Sequence, residues 1–123
     1  MPGIFFLDSI RRTARERARQ KRVRAAQSWP TAEGEINHWK IVPAGDTTDS
    51  FAQTDAIEAA FHFTLNGEYY GGYLRSVPMG HREAEKLATG SPKITLRYDP
   101  ANPDHNVVLA EENKALPFAI VSG

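Results

Sequence analysis

The sequence contains no cysteine. This absence excludes disulfide bonds, thiolate nucleophiles and thiolate metal sites, and it leaves the redox compartment undetermined. Long apolar runs are missing as well, since the main apolar stretches are Ile4–Leu7 and Ala115–Val121, and Pro117 interrupts the second. A membrane-spanning helix needs roughly 20 apolar residues, so we expect no such helix here.

The order of charge and hydrophobicity near the N-terminus is not that of a secretory signal. A signal peptide places basic residues before its apolar segment, whereas here Ile4–Leu7 precedes the basic residues. The sequence therefore predicts a cytoplasmic location, with peripheral attachment to the inner membrane as a further option.

Signatures of catalysis and cofactor binding are also missing. Gly71-Gly72 falls inside a predicted strand rather than before a helix, so it is not a phosphate-binding loop. Serine, histidine and aspartate occur without a recognisable nucleophile motif. The histidines lack metal-ligand spacing; they are His38, His62, His81 and His105. We therefore expect no enzymatic activity, no cofactor, no bound metal and no small-molecule substrate.

Charge is segregated along the chain, although the formal net charge is zero. Residues 1–27 carry eight Lys/Arg and two Asp/Glu, a net charge of +6. Residues 28–123 carry seven Lys/Arg and thirteen Asp/Glu, a net charge of −6. Such asymmetry favours an anionic partner for the basic segment. The alternative is that this segment rests on the acidic remainder of its own chain.

The basic segment has the composition of a helix. Residues 10–27 contain no Pro or Gly and are rich in Ala, Arg and Gln. Their apolar stripe consists of Ile10, Ala14, Ala18 and Ala25. Because this stripe is too thin to anchor a helix in a core, we predict an exposed or peripherally docked helical arm over residues 1–28 and a separate domain over residues 29–123.

The clearest structural signal is a β-hairpin around Asn66-Gly67. Apolar and polar residues alternate over 57–65 and 68–75, and an Asn-Gly pair between such segments is typical of a two-residue turn. This turn predicts the register Leu65 opposite Glu68, Phe63 opposite Tyr70 and Phe61 opposite Gly72. On the other face, Glu58 is then opposite Arg75.

The rest of the domain is predicted as mainly β. In chain order we expect a strand at Glu33–Val42, a loop at Pro43–Asp55, the hairpin, a helix at His81–Thr89, a strand at Lys93–Tyr98, a rigid turn at Asp99–Asp104, a strand at Asn106–Ala110 and an edge segment near Phe118–Val121. The order β-β-β-α-β-β is that of an OB-type barrel, so we predict a small antiparallel five-stranded barrel or roll with a basic N-terminal helix. An SH3-like barrel or a half-open antiparallel roll is the alternative to the OB order.

Three sequence motifs resemble a bacterial family known as domain of unknown function 3592. The segment Trp29–Ile36 resembles its W-P-x-x-x-G-x-V opening, and Phe63–Gly72 resembles its central hairpin. Residues 94–103, which end in Asp99-Pro100-Ala101-Asn102-Pro103, are similar to its V-x-Y-D-P-x-N-P signature. The similarity covers about residues 29–110, and the last motif is its most specific part.

The resemblance implies a small envelope-associated domain, often adjacent to membrane helices, with no assigned activity and no catalytic residues. This chain departs from that pattern because a basic arm stands where a membrane helix often lies.

Two surfaces are therefore the candidates for binding. The arm presents Phe5, Phe6, Arg11, Arg12, Arg15, Arg19 and Arg22, and the outer hairpin face presents His62, Tyr69 and Tyr73. Because phenylalanines are of little use on a phosphate backbone, the arm favours a membrane surface or a membrane-protein complex as its partner. Nucleic acid is the second choice. The sequence thus predicts a non-enzymatic interaction module.

Overall fold

The computed structural model describes residues 14, 17, 18, 20–44 and 55–121. The N-terminal helix, α1, covers residues 20–26, and residues 14, 17 and 18 are also helical. The body contains β1 (Thr31–Pro43), β2 (Asp55–Leu65), β3 (Glu68–Arg75), α2 (His81–Leu87), β4 (Lys93–Asp99), β5 (Asn102–Val107) and a 3-10 turn (Ala110–Glu112). The predicted order β-β-β-α-β-β is confirmed. Most of the predicted loop between β1 and β2, residues 45–54, lies outside the described residues.

The hairpin of β2 and β3 has the predicted register along its whole length. Leu65 pairs with Glu68, and the pairing continues without a shift to Glu58 and Arg75. Asn66 has a φ of 52° and Gly67 a φ of 83°. Both turn residues are thus in the left-handed region, which Asn-Gly tolerates and most residue pairs do not.

The five antiparallel strands form a nearly closed barrel with the order β3-β2-β1-β4-β5. The long strand β1 is at the centre, paired with β2 and β4. The two edge strands lie close to each other: Asn106 of β5 donates from Nδ2 to the Gly71 carbonyl oxygen of β3 at 3.0 Å. A side-chain amide, rather than a strand ladder, therefore joins the ends of the sheet.

The interior of the barrel contains large apolar side chains from the strands and small contributions from α2 and the tail. Ile36, Ile57, Phe63 and Leu96 are the largest apolar side chains with almost no exposure. Ala84 of α2 and, from the tail, Phe118 and Ile120 join the same cluster. The core is thus built mainly from the inward-facing alternate positions of the strands.

The predicted fifth strand at Asn106–Ala110 is wrong in its position, because β5 spans Asn102–Val107. Asp99 Oδ1 accepts the Ala101 N–H at 2.9 Å, which forms a tight turn and lets Asp99 pair with Asn102. The strand therefore begins directly after Pro100-Ala101 and includes Pro103. Proline is tolerated there because β5 is an edge strand.

The residues after β5 complete the edges of the barrel. The Asn113 side chain accepts from the Thr95 N–H at 2.8 Å and donates to the Thr95 carbonyl at 2.9 Å, so it replaces a neighbouring strand beside β4. Ile120 forms a bridge with Ser76, which confirms the predicted edge segment in the tail. Among the described residues, no helix has both the length and the apolar character needed to cross a bilayer.

Candidate interaction surfaces

The outer face of the hairpin carries exposed aromatic side chains. Tyr69 and Tyr73 are 77% and 81% exposed, so neither the described part of the arm nor the tail covers them. They lie on one face of β3, separated by Gly71, since residues two apart on a strand point to the same side. This surface can stack flat rings or contact an apolar partner.

His62 contributes to the same face as predicted, but it is only partly exposed. Its ring centroid lies 5.8 Å from that of Tyr69. Its Nδ1 atom is buried and has no hydrogen-bond partner among the described residues. The imidazole therefore supports the Tyr69 ring and offers a single unsatisfied polar atom, rather than a metal-binding set.

Acidic and basic side chains alternate around these tyrosines. Glu58 and Arg75 form an ion pair at 3.8 Å between side chains that are about half exposed. The register also places Glu58 opposite Lys40 of β1 and His62 opposite Glu35. Because the charges are mixed, this face does not form the continuous basic track that binds nucleic acid backbones.

The basic arm is docked by its last turn. Ala26 is fully buried, and it packs with half-buried Val23 and Trp29 against Val107 and Leu109. The described members of the predicted apolar stripe do not make this contact: Ala14, Ala18 and Ala25 are exposed, as are the four described cations Arg17, Lys21, Arg22 and Arg24. Ile10, the remaining member, lies outside the described residues. The last turn is thus docked on the barrel through a different face from the one predicted.

Arg97 of β4 holds the end of the arm in place. Its guanidinium donates from Nη1 to the carbonyl oxygens of Gln27 and Trp29, both at 2.9 Å. It also forms a forked pair with Glu112, with Nε to Oε1 at 2.9 Å and Nη2 to Oε2 at 3.0 Å. The nearby carboxylate raises the pKa of Arg97, chiefly through this hydrogen bond. One side chain thus connects the arm, the barrel and the 3-10 turn.

Arg22 is the one predicted arm cation that the structure describes. It lines a cleft of about 520 Å³ between β3 and β5, together with Glu58 and Asp104. No ion pair within the described ranges joins Arg22 to these carboxylates. The remaining predicted arm residues, Phe5, Phe6, Arg11, Arg12, Arg15 and Arg19, lie outside the described residues.

A polar cluster that the sequence did not indicate lies at the start of α2. His81 Nδ1 is 2.6 Å from Asp55 Oδ2, and His81 Nε2 is 2.6 Å from Glu85 Oε1. The hydrogen bonds to Asp55 and then Glu85 raise the pKa of His81 above its ordinary value. Among the described residues, no group of His, Cys, Asp and Glu could hold a metal ion. The cluster is therefore an ion-pair network.

This network predicts a pH-dependent contribution to stability. Because the folded-state pKa of His81 is raised, its stabilising effect is complete below the unfolded value of 6.5 and is lost as pH rises through the folded value. The free energy of unfolding of the wild type should exceed that of His81→Gln most at mildly acidic pH. Chemical denaturation between about pH 5 and pH 9 measures this difference. Arg82→Gln is the control, and a pH-independent difference for His81→Gln would contradict the assignment.

One of the comparisons with known proteins identifies a family for this chain. The model of the family described as domain of unknown function (DUF3592) matches residues 32–113. That range covers the five strands, α2 and the 3-10 turn, and it leaves out the basic arm. Comparison with curated proteins and with solved structures gives no match.

Proposed function

The chain belongs to the DUF3592 family, and from that premise we propose that it is a non-enzymatic interaction module at a membrane. Its basic arm attaches the barrel peripherally to the cytoplasmic surface of the membrane, or to a membrane complex of which it is a small accessory subunit.

The single observation that carries this proposal is how the arm is docked. Among the described residues of the arm, the last turn packs on the barrel through Val23 and Ala26, and Arg97 binds the carbonyl groups of Gln27 and Trp29 that follow. The described cations of the arm remain exposed, both before this turn and on its outer side: Arg17, Lys21, Arg22 and Arg24. A helix held at one end presents its charges to an external anionic surface at little cost in conformational entropy.

The sequence of the arm supports a bilayer rather than a phosphate backbone. Each basic residue near an anionic membrane contributes about 1 kcal/mol to binding. The segment Ile4-Phe5-Phe6-Leu7 adds apolar side chains, each of which contributes about 1.5–3 kcal/mol when it is buried in the acyl region. Electrostatic and apolar terms together give stable attachment, whereas either alone is marginal.

Vesicle flotation with the full chain tests the proposal. Vesicles that contain phosphatidylglycerol should bind the protein, and vesicles of phosphatidylcholine alone should not. Deleting residues 1–8 should weaken binding at least about tenfold, although it removes only one charged side chain, Asp8. Such a loss would show that the apolar segment enters the bilayer.

A matched pair of variants separates the arm from general electrostatics. Arg17→Gln, Lys21→Gln and Arg24→Gln together should strongly reduce vesicle binding. Arg82→Gln, Lys86→Gln and Lys114→Gln change the net charge equally, at exposed sites on the body, and should leave binding nearly unchanged. Equal losses from the two triple variants would contradict a role for the arm.

Nucleic-acid binding is the second candidate, and the exposure of Tyr69 and Tyr73 favours it. Aromatic side chains on the β2–β3 face of OB-type barrels stack on bases, with about 1–3 kcal/mol per base. A single-stranded oligonucleotide that binds more tightly than vesicles at the same salt concentration would replace the membrane proposal. In that case, Tyr69→Ala and Tyr73→Ala should each weaken oligonucleotide binding, and the loss of Phe5 and Phe6 should leave it unchanged.

A further inference from the structure

A groove of about 570 Å³ lies at one end of the barrel, between the β2–β3 turn and the β4–β5 turn. Exposed Glu68 stands at its mouth, and its apolar and aromatic lining consists of Leu65, Tyr70, Tyr98, Pro100, Ala101 and Pro103. The motif Asp99-Pro100-Ala101-Asn102-Pro103 thus forms one wall, and the hairpin forms the other. Neither wall contributes to the docking contact that the described part of the arm makes with Val107 and Leu109.

The walls of the groove are held in place. The Tyr70 ring stacks on Phe63 at 5.6 Å between centroids, and the Tyr98 ring lies 6.0 Å from the same phenylalanine. Phe63 is buried in the core. The opposite wall is fixed by the Asp99 side chain, which accepts the Ala101 N–H, and by two proline rings. Because these side chains are already ordered, a ligand need not immobilise them on binding.

The mouth of the groove is acidic. Glu68 Oε2 accepts the Tyr70 hydroxyl at 2.8 Å while the Glu68 residue stays exposed. This hydrogen bond raises the pKa of Tyr70, and the negative charges of Glu68 and Asp104 add to the rise. Of these two carboxylates, Glu68 lines the groove, and no Lys or Arg is among the described residues that line it.

We propose that this groove binds an extended proline-rich peptide that carries a basic residue. Polyproline II segments dock in aromatic-lined grooves, where their rigid rings pack between tyrosine and proline side chains at a small entropic cost. The ligand's lysine or arginine pairs with Glu68 at the mouth. The same carboxylate repels a nucleic-acid backbone, so the groove and the basic arm recognise ligands of opposite charge.

Fluorescence anisotropy with labelled synthetic peptides and the full chain tests this proposal. An oligoproline peptide that ends in arginine should bind best. A peptide of the same length and charge with glycine and serine in place of proline should bind at least roughly fivefold more weakly, as should the oligoproline peptide that ends in glutamate. Equal affinity for the glycine-serine peptide would overturn the proposal, because binding would then reflect charge alone.

Matched variants place the binding in the groove. Ala101→Arg introduces a long cationic side chain at an exposed lining position and should abolish binding, whereas Ala115→Arg in the exposed part of the tail should not. Glu68→Gln should weaken binding roughly two- to fivefold, with exposed Glu83→Gln as its control. Binding that survives Ala101→Arg, or no binding at millimolar peptide, would exclude this site.

Discussion

Replacing Gly72 by alanine is expected to destabilise the barrel by about 1–3 kcal/mol, the usual effect of overpacking a tightly filled interior. An added Cβ would lie 2.5 Å from the Phe61 ring carbon Cζ and would also collide with Asn106 Oδ1. Neither neighbour can move freely. Phe61 is 2% exposed, and the Asn106 amide donates to the carbonyl oxygens of Gly71, Pro103 and Asp104.

Gly71→Ala is the matched control, because it places the same methyl group one residue away on the opposite face of β3. Within the described part of the chain, the only atom near that site is the Phe61 carbonyl oxygen, at an ordinary contact distance of 3.4 Å. Its effect on the free energy of unfolding should stay within about 0.5 kcal/mol. Urea denaturation of the two variants measures the contrast. Equal destabilisation by the two variants would mean that the close approach of β3 and β5 does not require glycine at position 72.

Replacing Arg97 by methionine should cost about 2–4 kcal/mol of unfolding free energy and release the arm. The substitution keeps the aliphatic stem, but it removes four charge-assisted hydrogen bonds, two to Glu112 and two to the carbonyls of Gln27 and Trp29. This expected loss of unfolding free energy is well below the summed energies of four charge-assisted hydrogen bonds, because the Arg97 and Glu112 side chains remain 24% and 21% exposed to water.

A second measurement separates release of the arm from general loss of stability. Under native conditions, proteolysis near residues 20–28 should become faster in Arg97→Met, because the last turn of α1 then relies on the small contact of Val23 and Ala26 alone. Glu33→Gln, which removes an exposed ion pair with Lys93 at 3.4 Å, should leave this cleavage rate unchanged. An unchanged rate in Arg97→Met would show that the clamp is dispensable for docking.

The hairpin shows how far local sequence determines this fold. Asn66-Gly67 permits positive φ at two successive positions, and that requirement alone selects a two-residue turn. Once the turn is fixed, a side-chain period of two assigns each residue of β2 and β3 to a face. The register and the opposition of Phe61 and Gly72 therefore follow without knowledge of the rest of the chain, whereas the exposure of Tyr69 and Tyr73 depends on which other segments cover the second face.

The arm and β5 were predictable only in part. Composition predicted a helix with weak anchoring, but its exposed alanine stripe is not the docking face, because Val23 and Ala26 find their partners at Val107 and Leu109. The position of β5 depended on how the Asp99 side chain folds onto Ala101. A Pro-rich segment has several turn geometries of similar energy, and strand pairing selects among them.

By itself, the sequence determined the mainly β class, the order of the elements, the hairpin register and the separation of a basic arm from an acidic body, since each is encoded in neighbouring residues. Tertiary structure alone decided the Asp55–His81 contact, across 26 positions, and the Arg97 clamp, across up to 70. It also formed the groove between two distant turns. The physical reason is that periodicity and turn propensity act over a few residues, whereas these sites exist only after barrel closure brings remote side chains within hydrogen-bonding distance.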